Sequence, residues 1–142
     1  SLLATARAVG ERDWEREALD VALRAAACPE SRAGINDAGL CHGAAGLGHL
    51  FNRMYHTTGE ERFAEAARFW FARALGYRED GQGIAGFRSW GTTPEGGMDW
   101  RTEPGFLEGA AGIGLALLGA VSEVEPAWDR ILAVSVKEPG EI

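Results

Sequence analysis

Cys41 and His42 put two metal-capable side chains, a thiol and an imidazole, on adjacent residues of the string Gly39-Leu40-Cys41-His42-Gly43-Ala44-Ala45-Gly46-Leu47-Gly48-His49-Leu50-Phe51. Both are donors of the kind zinc takes in tetrahedral sites. Neighbouring residues inside a helix point about 100° apart, so the pair can face one ion only where the backbone is still unwinding from a loop. The Gly/Ala run that follows reads as a helix start, and the dipole there favours a thiolate. On its own, a Cys-His pair in a helical protein is more often a small buried residue beside a solvated imidazole than a metal site. The surrounding string is what separates the two readings.

That string returns later in the chain. Gly43 to Gly48, Gly-Ala-Ala-Gly-Leu-Gly, is repeated as Gly109 to Gly114, Gly-Ala-Ala-Gly-Ile-Gly, 66 residues further on. Such a repeat implies two equivalent supersecondary units. Gly39-Leu40-Cys41-His42-Gly43 with Ala45-Gly46-Leu47 resembles the Cys-His-Gly motif of the lanthionine cyclases, the LanC-like family, and Phe106 to Leu118 is similar to that family's last Gly-rich helix start. The resemblance covers essentially the whole chain. It implies an all-α fold, part of an α/α toroid, a double-layer helical barrel with Gly-rich inner helices. Residues 1–142 would be the C-terminal portion of that domain.

What the resemblance implies for chemistry is a zinc site of two Cys and one His, with the substrate peptide's thiol in the fourth position. Cys41 and His42 match the second Cys and the His. The first Cys, in a Trp-Cys-Tyr-Gly-like motif, is expected upstream, as are the acid/base His and Asp, so no catalytic residue is assigned within this chain. The implied activity is addition of peptide Cys thiols to dehydroalanine or dehydrobutyrine, giving the thioether rings of lanthipeptides, with the coordinated thiol ionised near neutral pH. Its partners would be a precursor peptide with dehydrated Ser/Thr and a dehydratase or the remaining half of the toroid. The chain alone is expected to be inactive. The alternative is a LanC-like peptide-binding or scaffold protein without cyclase activity. An unrelated toroid enzyme acting on carbohydrates would need paired inner-ring carboxylates, and only Glu108 is a candidate.

Other potential ligands read as structural. Cys28, before Pro29, lies between an outer helix and the motif loop and reads as a buried small apolar residue. His49 shares a helix face with His42 but sits roughly 10 Å along the axis, which suits packing or polar lining. His56 suits a helix C-terminus. Glu108 occupies the repeat position of His42 and is expected to cap its own helix, with a cavity-facing role as the alternative.

Composition narrows the class. With 142 residues, 46% of them hydrophobic, and a net charge of −7 without a basic cluster, the chain carries neither a nucleic-acid footprint nor a membrane span. Two cysteines are too few for a disulfide framework, pointing to a cytoplasmic location, and the first residues carry no signal-peptide pattern.

The elements that would position the motif follow from periodicity. A helix ends at Val9 before Gly10, and a second, capped by Asp13, runs over about 14–27 with Ala18, Val21, Ala22 and Ala25 as its stripe. Glu30 to Ala38 reads as a polar loop. A third helix covers about 43–55 with Leu47, Leu50, Phe51 and Met54 on one face. Thr58-Gly59-Glu60-Glu61 matches a capping box opening a fourth helix to about Leu75, with Phe63, Ala67, Trp70, Phe71 and Ala74 buried. The Gly/Trp-rich stretch 77–105 is too long for a simple connector and reads as an ordered flap, either covering substrate or closing one end of the barrel. A fifth helix, 109–121, is apolar all round and is expected to be buried on all sides. A sixth begins near Pro126 with Trp128, Ile131 and Leu132 inward, and Val136–Ile142 reads as a frayed end.

Overall fold

The computed structural model of the chain describes residues 2–134; the end expected to fray lies outside them. The described residues form helices α1 (Leu2–Val9), α2 (Arg12–Ala26), α3 (Glu30–Ala33), α4 (Ala44–Thr58), α5 (Glu61–Gly76) and α6 (Ala110–Val121), then a 3-10 helix (Ala127–Leu132), with one short hairpin before α6. The fold is all-α, as the sequence implies. None of these helices is long and apolar enough to cross a membrane.

Helix α4 is the central element, packing on α5 along one side and on α6 along another, while α2 lies against α5 and α1 against α2. On α5 the apolar residues recur at helical spacing, and Phe63, Ala67, Trp70 and Ala74 are all buried. The Phe63 ring stacks on Phe51 of α4 at 6.3 Å between centroids. The expected capping box is not formed. Gly59, at φ +69°, ends α4 one residue later than such a box requires. Thr58 therefore closes α4, its hydroxyl donating to the Met54 carbonyl at 2.7 Å, and Glu60 caps α5 instead.

Several expectations at the periphery are corrected. Glu11, not Asp13, is the N-cap of α2, and Asp13 pairs with Arg16 at 2.7 Å. Only Ala18 of α2 is fully buried, with Leu19, Ala22, Leu23 and Ala26 packed against the core and Val21 exposed. Leu50 of α4 is exposed as well. The polar loop contains the single turn α3. Helix α6 buries one stripe, Gly112, Ile113, Ala116 and Gly119, while Leu118 and Val121 are exposed; an apolar surface is buried only where a neighbour covers it. The last helix is a 3-10 turn with Leu132 packed on the core and Ile131 80% exposed.

The stretch 77–105 is ordered by a hairpin. Strands β1 (Ser89–Thr92) and β2 (Met98–Arg101) pair antiparallel, with Trp90 opposite Trp100. Their rings meet edge to face at 5.4 Å, and the Arg88 guanidinium lies 5.3 Å from the Trp100 centroid. Four-residue strands in a Gly-rich segment leave too short an alternation to read as β.

The glycines of the repeated string divide by what surrounds them. A Cβ on Gly46 would overlap the Leu40 carbonyl, and one on Gly112 the Phe106 carbonyl. Gly48 faces the Phe71 ring, whereas its repeat partner Gly114 faces nothing within 4 Å. Gly46→Ala is expected to lower stability by about 2 kcal/mol or more through backbone overlap, while Gly114→Ala raises it by about 0.5–1 kcal/mol. Urea denaturation of both variants checks the contrast.

Candidate functional site

Cys41 and His42 occupy the last two turn residues before Gly43, the N-cap of α4, where the sequence places them. Both side chains are exposed, and neither makes a hydrogen bond to another described residue. The backbone beneath them is fixed. The Cys41 N–H donates to the Leu107 carbonyl at 2.8 Å, the Ala44 N–H to the Asp37 carbonyl at 2.9 Å, and the Ala45 N–H to the Ala38 carbonyl at 3.2 Å.

The turn before α6 is built in the same way. The Ala110 N–H donates to the Glu103 carbonyl at 3.0 Å and the Ala111 N–H to the Pro104 carbonyl at 3.3 Å, so the Ala44 and Ala45 bonds recur 66 residues on. The N-cap glycines share one extended conformation, φ −108° and ψ −175° at Gly43 against φ −114° and ψ −170° at Gly109. An acidic side chain holds each turn: Asp37 Oδ1 accepts from the Gly39 N–H at 2.9 Å, and Glu103 Oε1 accepts from the Gly105 N–H at 2.8 Å. The repeat thus reaches back to Asp37 and Glu103, beyond the Gly-Ala-Ala-Gly run. Its signal in the sequence is an acidic residue two before a glycine, the mark of a side-chain-closed turn.

The two turns share a scaffold but not a chemistry. Where the first carries Cys41 and His42, the second carries Leu107 and Glu108. Glu108 does not cap α6, since Gly109 has no side-chain cap; it pairs with Arg101 at the end of β2. Asp37 has a second function. Its Oδ2 accepts from the Trp90 N–H at 2.9 Å, and the side chain is buried, so one carboxylate joins the Cys41–His42 turn to β1.

The remaining candidates lie apart from this turn. Cys28 is half-exposed rather than buried, because the turn at Pro29 carries it to the surface, with its Sγ 3.7 Å from the Pro29 carbonyl oxygen. His56 is exposed in the last turn of α4. His49 is buried, and its Nε2 donates to Asp129 Oδ2 at 3.0 Å while its ring stacks on Trp128 at 4.6 Å. Arg53 Nε reaches the same Asp129 oxygen at 3.0 Å. Burial holds His49 below the ordinary histidine value against the hydrogen bond and charge of Asp129, with the charge of Arg53 adding to the lowering. His49 is therefore a polar core residue, as its spacing implies, and Asp129, its partner from the far end of the chain, had no signal in the sequence.

As a metal site the turn offers two donors. Both are accessible, both are of types that zinc accepts, and the rigid turn holds their backbone. Among the described residues no group of three His, Cys, Asp or Glu is placed to hold a metal.

A mostly helical architecture with paired Gly-capped helix starts, one carrying Cys-His, defines the class. The family model for lanthionine synthetase C-like proteins matches residues 2–133, and the chain belongs to that family. No curated protein matches it.

Replacing Asp37 tests how the turn is held. Asp37→Ala leaves the Gly39 and Trp90 N–H groups without an acceptor and is expected to cost about 2–6 kcal/mol at about 1–3 kcal/mol for each donor. Glu103→Ala, at the half-exposed equivalent with one such bond, is expected to cost about 1 kcal/mol or less. Thermal denaturation of the two variants measures the difference.

Proposed function

We propose that this chain contributes Cys41 and His42 to the zinc site of a lanthionine cyclase, an enzyme that adds peptide Cys thiols to dehydroalanine or dehydrobutyrine. The observation that carries the reading is the exposed, unpartnered Cys-His pair on a rigid helix-start turn in a member of this family. Zinc bound there would lower the pKa of a coordinated substrate thiol, supplying thiolate near neutral pH. In the overall reaction the sulfur forms a bond to the β-carbon, the carbon–carbon double bond is consumed, and the thiol proton is replaced by one delivered to the α-carbon.

The chain's own residues have a positioning task in this scheme. Asp37 and the Cys41–Leu107 backbone bond fix the backbone that carries the two donors, so little backbone entropy is lost when an ion is taken up. Both sulfurs of the chain are free thiols, which suits a reducing cytoplasm. The ligands that complete the tetrahedron would come from a further Cys outside these residues and from the substrate peptide.

Cobalt(II) titration of the polypeptide that carries this chain tests the reading, since thiolate ligation gives a charge-transfer band that competing zinc removes. Cys41→Ala and His42→Ala are each expected to weaken metal binding at least about tenfold, the equivalent of 1.4 kcal/mol, and to suppress ring formation. Ring closure leaves peptide mass unchanged, so it is read as loss of alkylatable thiol in a dehydrated Cys-containing peptide. Peptide binding without metal uptake or ring closure would replace this reading with that of a LanC-like scaffold.

A further inference from the structure

The segment from Ser122 to Leu132 folds back against α4, and one buried cluster holds it. His49 and Asp129 are 1% and 0% exposed, and a single Asp129 oxygen accepts from His49 Nε2 at 3.0 Å and lies 3.0 Å from Arg53 Nε in an ion pair. Around them, Trp128 covers the imidazole and Phe106 meets Trp128 edge to face at 5.8 Å. Helix α6 brings Gly119 to the ring: a Cβ there would lie 3.8 Å from His49 Nδ1. The charged groups that bear on His49 are Asp129, from the 3-10 helix, and Arg53, from α4 itself. Further out, Glu125 accepts from Arg53 at 3.3 Å and lies 3.9 Å from Arg130.

The charge balance of this cluster depends on the ring. With His49 neutral, Arg53 and Asp129 cancel. The ring must then carry its proton on Nε2, because a carboxylate only accepts; Nδ1, buried, has no partner among the described residues. A second proton would set two cations, His49 and Arg53, against the same buried Asp129 oxygen, because Glu125, which also pairs with Arg53, is exposed to solvent, and a buried charge whose partner is already shared is unfavourable.

We propose that His49, Arg53 and Asp129 form an acid-releasable latch, in which the neutral ring pins Ala127–Leu132 to α4 and a protonated ring frees it. The direction follows from linkage. Because folding lowers the affinity of His49 for a proton, the released or unfolded chain takes up that proton first, so the latch is fully closed above the ordinary histidine value of about 6.5 and weakens as pH falls through it. Release would open the cavity of about 240 Å³ between α4, α6 and the 122–126 turn, lined in part by Asn52, Arg53, Gly119 and Glu125.

Amide hydrogen exchange on the whole chain, corrected for the intrinsic effect of pH, tests the latch. The reporters are Asp129 and Ala133, whose N–H groups donate to the Pro126 and Arg130 carbonyls. Between about pH 7.5 and about pH 5, which spans the histidine range, their protection is expected to fall at least about tenfold while α5 amides keep theirs. The midpoint should match the His49 ring titration followed by NMR. Arg53→Met removes the competing cation and leaves an imidazolium–carboxylate pair, so its reporters are expected to gain protection on acidification. Protection independent of pH, loss shared equally by α5, or a wild-type response in Arg53→Met would each overturn the proposal. If Arg53→Met does not fold, the wild-type midpoint comparison decides alone.

Discussion

The constraint on which the rest of the structure depends is the approach of one backbone to another at the two glycine-rich helix starts. Gly46 packs on the Leu40 carbonyl and Gly112 on the Phe106 carbonyl, so each helix begins in contact with the turn that delivers it. Interior glycine costs a helix roughly 1 kcal/mol relative to alanine, and here it permits a separation that no Cβ could share. The turns then touch each other through the Cys41–Leu107 bond. The pair Cys41–His42 inherits its fixed backbone from this arrangement.

Two buried carboxylates join distant parts of the chain to that centre. Asp37 satisfies the Gly39 and Trp90 N–H groups together, tying the turn to a hairpin some fifty residues away. Asp129 joins the 3-10 helix to α4 through His49 and Arg53. A buried carboxylate without partners is strongly disfavoured, so each also acts as a registry device. It is compatible with only the arrangement that brings its donors together.

The family, the all-α class, the repeat and the placement of Cys41 and His42 were legible because each rests on local pattern. Glycine spacing, helical periodicity and adjacent donor types are properties of consecutive residues. The same reasoning explains the misses at Thr58 and Asp13. Short capping motifs overlap in sequence: at Thr58 the conformation of Gly59 chose between them, and at α2 the helix starts early enough for Glu11 to be the N-cap.

The sequence by itself determined where the long helices lie, that two of them start in the same way, and that only the first start carries a thiol and an imidazole. The tertiary structure alone decided that Asp37 caps a turn and a strand at once, that Glu108 pairs with Arg101 rather than capping α6, that α6 buries a single stripe, and that His49 meets Asp129. The physical reason is range. Helix formation is driven by contacts within a few residues, whereas a buried charge takes whichever partner the packing brings to it, and that partner here lies fifty or eighty residues away.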